Sequence, residues 1–202
     1  MIVKDPKNKI NVSQKIRASR FLKLVDKYVN RVEVADSKCF MFGRTKIYFS
    51  KPVPHGVNDR LGYVVEVLID DSEEKFLYTS DVEGLVLKEQ VEFVLLHRPD
   101  ILIVDGPLTY MLGYKLSRSD LQKSIRNLKE IIEALKSSVI ILDHHLLRDS
   151  EYRVRLHEIY SYAKALRVKV ISAAEYLGKP IDVLEVRRRE LYEKEYAPGK
   201  VF

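Results

Sequence analysis

The sequence has a single cysteine, no tryptophan and no long apolar run. The one cysteine, Cys39, excludes an internal disulfide and suits a reducing cytoplasm. No apolar stretch approaches the length of a membrane span, and residues 1–6 lack the apolar core of a signal peptide. These absences predict a cytoplasmic protein without a membrane segment.

Charged side chains of both signs are abundant. The 202 residues carry a formal net charge of +6, with 32% charged and 46% hydrophobic residues. This length and balance predict a single domain over residues 1–202 with a substantial core. The modest positive charge permits an anionic substrate but does not require nucleic acid. Glutamates interleave with the basic runs at residues 118–136 and 187–189, which favours a salt-bridged solvent face over a nucleic-acid surface.

The order of predicted elements changes along the chain. A helix capped by Ser13 is predicted over residues 13–28, and strands follow at 31–34, 38–42, 45–49, 61–69 and 75–79. Helices then alternate with strands: helices at 88–96, 118–135, 150–166 and 181–194, and strands at 101–104, 139–142 and 169–172. Antiparallel strands followed by alternating helices and strands predict an α/β (α+β) fold, a mixed sheet covered by helices.

Histidine or aspartate follows three of these strands. His55 lies in the loop after one strand, Asp81 follows another, and His144 and His145 follow a third. Each alone is more often a turn former, a helix cap or a solvated side chain. Together they supply the nitrogen and oxygen ligands that zinc, iron or manganese accepts. The sequence therefore predicts a divalent-metal site, with zinc favoured, and Asp81 can place one oxygen on each of two ions.

Residues 50–56, 61–64, 79–84 and 142–148 resemble the later metal motifs of the metallo-β-lactamase superfamily. Further segments resemble, more closely, an uncharacterised archaeal family of predicted metal-dependent hydrolases; they are residues 4–6, 10–11, 13–14, 99–107 and 173–175. The resemblance implies a metallo-β-lactamase-like fold, of which this chain holds the second half of an αββα sandwich. The fold would place these motifs together at one edge of the sheet.

The resemblance assigns metal-binding roles to His55, Asp81 and His144, and it makes Asp81 the bridging, catalytic carboxylate. We favour His144 over His145 as the ligand, although His145 stays in the predicted set. The alternative for His145 is packing beneath the following helix. Asp143 could orient an imidazole from outside the metal shell.

Three other residues have plainer interpretations. His97 and His157 are expected on helical or loop surfaces, where water solvates them. Asp105 either shapes the rim of the site or only marks a transition from strand to turn.

The motif His-x-His-x-Asp-His, which the superfamily carries in its first half, is absent. The resemblance therefore implies a fragment or subunit that an N-terminal partner segment or a homo-oligomer completes, and apolar strand faces at residues 63–69 and 101–104 should be uncovered. The implied function is a metal-dependent hydrolase, in which metal-activated water attacks an ester or phosphodiester of a small substrate. The alternatives are a non-catalytic binding or scaffold protein on the same fold, and a nuclease.

Overall fold

A computed structural model describes residues 1–195 of the chain. Seven strands form one mixed sheet: β3 (Cys39–Phe42), β4 (Thr45–Phe49), β7 (Val67–Asp70), β8 (Lys75–Tyr78), β9 (Ile101–Asp105), β10 (Val139–Asp143) and β11 (Lys169–Ile171). Their order in the sheet is β11-β10-β9-β8-β7-β4-β3. The strands β3, β4, β7 and β8 pair antiparallel, whereas β8, β9, β10 and β11 run parallel.

Smaller elements complete the described part of the chain. Two two-stranded sheets pair β1 (Ile2–Val3) with β2 (Glu33–Val34) and β5 (Val53–Pro54) with β6 (Tyr63–Val64). The α-helices are α1 (Val12–Val25), α2 (Glu92–His97), α3 (Arg118–Ala134), α4 (Tyr152–Arg155), α5 (His157–Ala165), α6 (Ala173–Tyr176) and α7 (Arg188–Glu195). The predicted α/β fold with a mixed sheet is confirmed.

One face of the seven-stranded sheet forms the core. Strand register aligns a row of apolar side chains that are all buried: Leu68, Leu77, Leu102, Ile140 and Val170. Helix α3 covers this face because its apolar residues recur at helical spacing, and its buried set includes Leu121, Ile125, Leu128 and Ile132. Full burial of each such side chain contributes about 1.5–3 kcal/mol.

The opposite face of the same sheet is apolar but only partly covered, and we call it the open face. Two cross-strand rows define it: Phe40, Ile47, Ile69, Phe76, Ile101 and Val139 in one, and Phe49, Val67, Tyr78, Ile103, Ile141 and Ile171 in the other. Of these twelve only Ile141 is fully buried, while Ile69 and Tyr78 are 37% and 36% exposed. On this face Ile69 of β7 is exposed, whereas Val67 of β7 and Ile101 and Ile103 of β9 are partly buried.

Two predicted elements are broken in the structure. The strand predicted at residues 61–69 is interrupted at Val65 and Glu66, so that β6 pairs with β5 and β7 joins the large sheet. The helix predicted at residues 150–166 is two helices that meet at Leu156, where the backbone leaves helical geometry at φ −105° and ψ 21°. Leu156 is fully buried, so core packing outweighs helix continuity there.

Several predicted boundaries move as well. Asn11, not Ser13, caps α1, because its side chain accepts a hydrogen bond from the Gln14 backbone N–H at 2.8 Å while Gln14 accepts one from the Asn11 N–H. The helix predicted at residues 88–96 begins with a 3₁₀ turn, Lys88–Gln90, before α2. The last predicted helix is shorter, because regular structure begins only at Arg188.

Candidate metal centre

The parallel register of the sheet brings the predicted strand exits together. Strands β8, β9 and β10 are neighbours and run parallel, so their carboxyl ends share one edge. Asp81 lies three residues after β8, and His144 and His145 directly follow β10. Asp105 ends β9 and pairs in register with Asp143 on β10. This edge is where open α/β sheets commonly place their sites.

The Asp81 carboxylate lies between His144 and His145 on one side and His55 on the other. Its Oδ1 is 3.1 Å from His145 Nδ1 and 3.6 Å from His144 Nε2. Its Oδ2 is 3.3 Å from His55 Nε2. The two oxygens of one carboxylate thus face different histidines, which is the arrangement that a bridging ligand requires.

Asp81, His144 and His145 together form a group with metal-ligand spacing. Each offers one ligand atom, and these atoms all lie within 4.8 Å of one another. The group combines a half-exposed carboxylate, an exposed imidazole and a buried one. His55 lies beside this group through its contact with Asp81, and its Nε2 is also 3.8 Å from Glu83 Oε1.

Asp105 is the buried residue that holds the centre in place. Its side chain is fully buried, and Oδ1 and Oδ2 lie 2.9 and 3.0 Å from His145 Nδ1. The same oxygens accept hydrogen bonds from the backbone N–H groups of Glu83, at 2.7 Å, and of His145, at 3.2 Å. Asp105 therefore joins the loop that carries Asp81 to the turn that carries His145, and it leaves His145 Nε2 free for another partner.

The loop that carries Asp81 is conformationally unusual. Ser80, Glu83 and Leu85 all have positive φ angles, of 59°, 51° and 55°. Such angles in non-glycine residues cost free energy and persist only where the surroundings impose them. Gly84 lets this loop pass close to Pro107, because a Cβ at Gly84 would lie only 2.6 Å from the Pro107 Cα. His144 is also left-handed, with φ 57°.

Hydrogen bonds from neighbouring helices supply that constraint. On α3, Ser124 Oγ donates to the Gly84 carbonyl, and Asn127 Nδ2 donates to the Leu85 carbonyl at 2.6 Å. Buried Gln90 donates from Nε2 to the carbonyls of Pro54 and Gly56, both at 2.9 Å, and of Val82, at 3.3 Å. Gln90 thus connects the loop of His55 to the loop of Asp81.

Charge is concentrated on His145 and the two aspartates around it. Burial lowers the pKa of His145, but the hydrogen bond to Asp105 and the negative charges of Asp105 and Asp81 outweigh it and raise that pKa from 6.5 to about 9. Burial works to raise the pKa of Asp81, yet the positive charges of His145 and His55 hold it well below 3.8. Burial raises the pKa of Asp105 in spite of His145. In the metal-free chain, a proton on His145 therefore carries the positive charge between the two carboxylates.

The donor set fits a divalent cation. Asp81 Oδ1 is buried from solvent and has no hydrogen-bond partner. The nearby His145 Nδ1 is directed at Asp105 instead. An orphaned carboxylate oxygen beside two imidazoles suits a cation with nitrogen and oxygen ligands, such as zinc, iron or manganese. Asp81, His144 and His145 would hold the ion, with His55 within reach of the second carboxylate oxygen.

The structure corrects two of the sequence interpretations around this centre. Asp143 does not orient an imidazole; its oxygens accept from the backbone N–H groups of His144, at 2.7 Å, and of Ala173, at 2.9 Å. Asp105 orients an imidazole instead, through its contacts with His145 Nδ1. The signal for Asp105 was its position at the end of a strand, which becomes informative only once β9 and β10 are known to be neighbours.

The remaining predicted residues differ in outcome. His145 is the buried member of the histidine pair, and its ring contacts His144 edge-on at 4.4 Å between centroids. His97 is not simply solvated: it is partly buried, with ring centroids 4.4 Å from Phe93 and 5.5 Å from Tyr48. His157 is exposed, as predicted.

The basic run near the end of the described residues is neutralised by ion pairs. Arg188 contacts Glu185 at 2.8 Å and Arg189 contacts Glu193 at 2.9 Å. Arg187 lies 3.3 Å from Glu190. This is the salt-bridged solvent face that the charge pattern favours.

Sequence comparison finds archaeal relatives that extend beyond this chain. The chain is 49% identical to a "UPF0282 protein" of Korarchaeum cryptofilum over 193 residues, which are 96% of this chain and 64% of that protein. It is 46% identical over 202 residues to a "UPF0282 protein" of Sulfurisphaera tokodaii, of which it covers 65%. The chain therefore spans just under two thirds of the length of these relatives. No protein-family model matches it.

Structure comparison finds a more distant likeness. The crystal structure of "a possible metal-dependent hydrolase from Veillonella parvula DSM 2008" is 16% identical, with a TM-score of 0.45. The match covers 72% of this chain and 59% of that one, and it is too remote to bear on activity. Across residues 1–195, none of the helices has the length and apolarity to cross a membrane.

Proposed function

We propose that this chain contributes half of the metal centre of a metallo-β-lactamase-like, metal-dependent hydrolase. The observation that carries the proposal is the convergence of Asp81, His144 and His145 at one sheet edge with ligand atoms within 4.8 Å. A divalent ion bound there, zinc being favoured, would lower the pKa of a bound water and stabilise negative charge developing on an ester or phosphodiester.

The roles of the chain's own residues follow from their contacts. Asp81 presents one oxygen toward His144 and His145 and the other toward His55, so it can serve two ligand sets. Asp105 fixes the ring of His145 through Nδ1 and keeps Nε2 available. Glu83, whose pKa burial raises, lies beside His55 and can hold a proton near the centre.

The centre needs further ligands from outside the residues described. Asp81, His144 and His145 offer three ligand atoms to one ion, and His55 lies to one side. A hydrolytic pair of metal ions needs more protein ligands than these. We propose that a separate segment carrying His-x-His-x-Asp-His supplies them and covers the open face. The partly exposed apolar rows support this, because Ile69 and Tyr78 leave apolar surface in contact with solvent that a packed segment would bury.

The test measures metal content and turnover together in a completed protein. The chain is joined, in native order, to the part of the Korarchaeum cryptofilum relative that it does not match. We expect stoichiometric metal by mass spectrometry and hydrolysis of a generic phosphodiester or ester, both abolished by a chelator. A completed protein that folds but takes up no metal would refute the proposal.

A non-catalytic binding role on the same fold is the competing function. The incomplete ligand set of the described residues favours it, since Asp81 and two or three histidines alone would bind metal weakly. This role predicts a completed protein with bound substrate-like esters but neither metal nor turnover. A nuclease role finds little support, because ion pairs neutralise the basic run at residues 187–189.

A further inference from the structure

A cleft opens to solvent beside the metal centre, on the side of His55. It has a volume of about 290 Å³, and His55 and Glu83 form its partly buried wall. His55 Nε2 lies 3.3 Å from Asp81 Oδ2, so a group bound against His55 would be one side chain away from Asp81. The cleft is therefore placed to hold one part of a substrate while another part reaches the metal centre.

Two cationic side chains line the exposed side of the cleft. Arg60 belongs to the 3₁₀ turn Asp59–Leu61, and Lys115 lies in the loop before α3. Both residues are exposed, and the structure of residues 1–195 shows no ion pair for either of them. Two positive charges from separate loops are thus available to a ligand in one cleft.

The turn that carries Arg60 is held in place from two directions. Asn58 Oδ1 accepts from the Arg60 N–H at 3.0 Å, and Asn11 Nδ2 donates to the Arg60 carbonyl at 2.9 Å. On α1, Gln14 accepts from the Tyr63 N–H at 3.1 Å and donates to the Tyr63 carbonyl at 2.8 Å. The start of α1 therefore anchors this turn, and Arg60 projects from a preformed backbone.

The acidic side chain in the lining, Glu83, is packed against the wall of the cleft. Its Oε1 lies 3.8 Å from His55 Nε2, and its side chain is 14% exposed. Its Oε2 lies against Gly56, where an added Cβ would be only 2.3 Å away. The charges that face solvent in the cleft are consequently those of Arg60 and Lys115, which favour an anion.

The chemistry of the lining suits a phosphate group joined to an organic group. A phosphate accepts the paired N–H groups of a guanidinium, and its second negative charge suits an additional ammonium group. Val57, Leu61 and Tyr114 supply apolar surface in the same cleft, and the large ring of Tyr114 is 83% exposed. This surface can pack against the organic group that carries the phosphate.

We propose that Arg60 and Lys115 bind a phosphate group of the substrate, beside the bond that is cleaved at the metal centre, with Tyr114 against the attached organic group. That the ligand is a substrate rests on the proposed hydrolase function. The phosphate contacts themselves require no metal ion.

The experiment titrates the metal-free chain with phenyl phosphate and, as the uncharged counterpart with the same ring, phenol. We expect saturable amide shifts at residues 55–62 and 113–116 with phenyl phosphate, weakening as salt is added, and no saturable shifts with phenol. Benzoate, with a single negative charge, should bind more weakly than phenyl phosphate. Tyr114→Ala should weaken binding of phenyl phosphate and leave binding of inorganic phosphate unchanged.

Paired variants test the two cations. Arg60→Gln combined with Lys115→Gln removes both charges, and we expect the affinity for phenyl phosphate to fall by about 10- to 100-fold. Arg126→Gln combined with Lys164→Gln is the matched control. It removes the same net charge from exposed positions on α3 and α5 outside the cleft, and it should bind like the wild type. All four positions are exposed, so both double variants should fold.

Absence of saturable phenyl phosphate binding by the wild type, or equal affinity in the two double variants, would overturn the proposal. Equal binding of benzoate would overturn the choice of phosphate. No metal is present in these titrations, so their outcome is separate from that of the proposed function. A completed protein without metal or turnover would refute the hydrolase and leave the phosphate site standing.

Discussion

At the scale of single residues, the centre depends on two aspartates with different tasks. Asp81 is half-exposed and presents its oxygens to three histidines, whereas Asp105 is fully buried and contacts His145 and two backbone N–H groups. The first arrangement suits a ligand and the second suits a positioning residue. Substitutions at the two positions should therefore have different effects.

In the completed protein we expect Asp81→Asn to lose bound metal and hydrolytic activity together while the fold persists. The amide keeps the shape of the carboxylate but removes the charge that would hold two cations. Metal content by mass spectrometry and turnover of a phosphodiester are measured side by side. His157→Ala, on an exposed helical surface, is the control and should change neither. Full metal loading in Asp81→Asn would contradict the bridging role.

Asp105→Asn should weaken metal binding by about 10- to 100-fold without abolishing it, as expected for a residue that orients a ligand. An asparagine also leaves two backbone donors with a poorer acceptor, so we expect a lower melting temperature. Rescue of metal loading at higher metal concentration separates this variant from Asp81→Asn. A variant that binds metal as tightly as the wild type would exclude a positioning role for Asp105.

The metal-free chain should lose stability as pH rises from 6.5 to about 9. The pKa of His145 is raised from 6.5 to about 9 in the folded state, so its contribution is complete below 6.5 and disappears as the folded group deprotonates. The expected loss is about 1–3 kcal/mol, since solvent around half-exposed Asp81 screens part of the interaction. Urea midpoints of chelator-treated protein across this range measure it. His145→Asn should flatten the dependence, and an unchanged slope would contradict the charge on His145.

At the scale of elements, the centre is held by segments that approach it from the covered side of the sheet. Gln90 bonds to the carbonyls of the His55 loop and the Asp81 loop, while Ser124 and Asn127 on α3 bond to the far end of the Asp81 loop. The positive φ angles in residues 80–85 persist because these bonds impose them. The loops should therefore loosen together when one bond donor is removed.

Gln90→Leu should destabilise the chain by about 3 kcal/mol, because it leaves buried carbonyl groups without donors. We expect faster hydrogen exchange at residues 53–57 and 80–84 and a parallel loss of metal affinity in the completed protein. Gln122→Leu, at an exposed position of α3, is the matched control. Faster exchange in only one of the two loops would contradict the connecting role of Gln90.

At the scale of the whole molecule, the two faces of the large sheet are covered to different extents. Leu68 and Ile69 are neighbours in sequence on β7, yet Leu68 is 1% exposed and Ile69 is 37% exposed. Helices cover the first face, and the second retains two rows of partly exposed apolar side chains. These partly exposed rows are the surface that we propose a further segment covers.

In the chain alone, Ile69→Lys should change the free energy of unfolding by no more than about 0.5 kcal/mol, because the side chain points to the open face. Leu68→Lys should prevent folding, since it buries an unpaired charge in the core. In the completed protein, Ile69→Lys should become strongly destabilising. Sedimentation tests the alternative that a second copy of the chain covers the open face. In that case the chain alone would form a dimer, and Ile69→Lys would dissociate it.

Much of this architecture is readable from local sequence patterns. The apolar runs of β9 and β10 and the helical spacing of Leu121, Ile125 and Leu128 fixed the alternation of strands and helices in the second half. The positions of His55 and Asp81 after strands indicated a site, because residues at strand ends face solvent from a rigid frame. Each of these signals is contained within a short stretch of the chain.

Tertiary structure alone decided which residues meet. Asp105 contacts His145 because β9 and β10 pair with Asp105 opposite Asp143, a register that depends on residues 38 positions apart in sequence. The breaks at Glu66 and Leu156 likewise arise where pairing or core packing outweighs local propensity. Local sequence determines what each segment can form, and the free energy of burying one side of the sheet determines which ends are brought together.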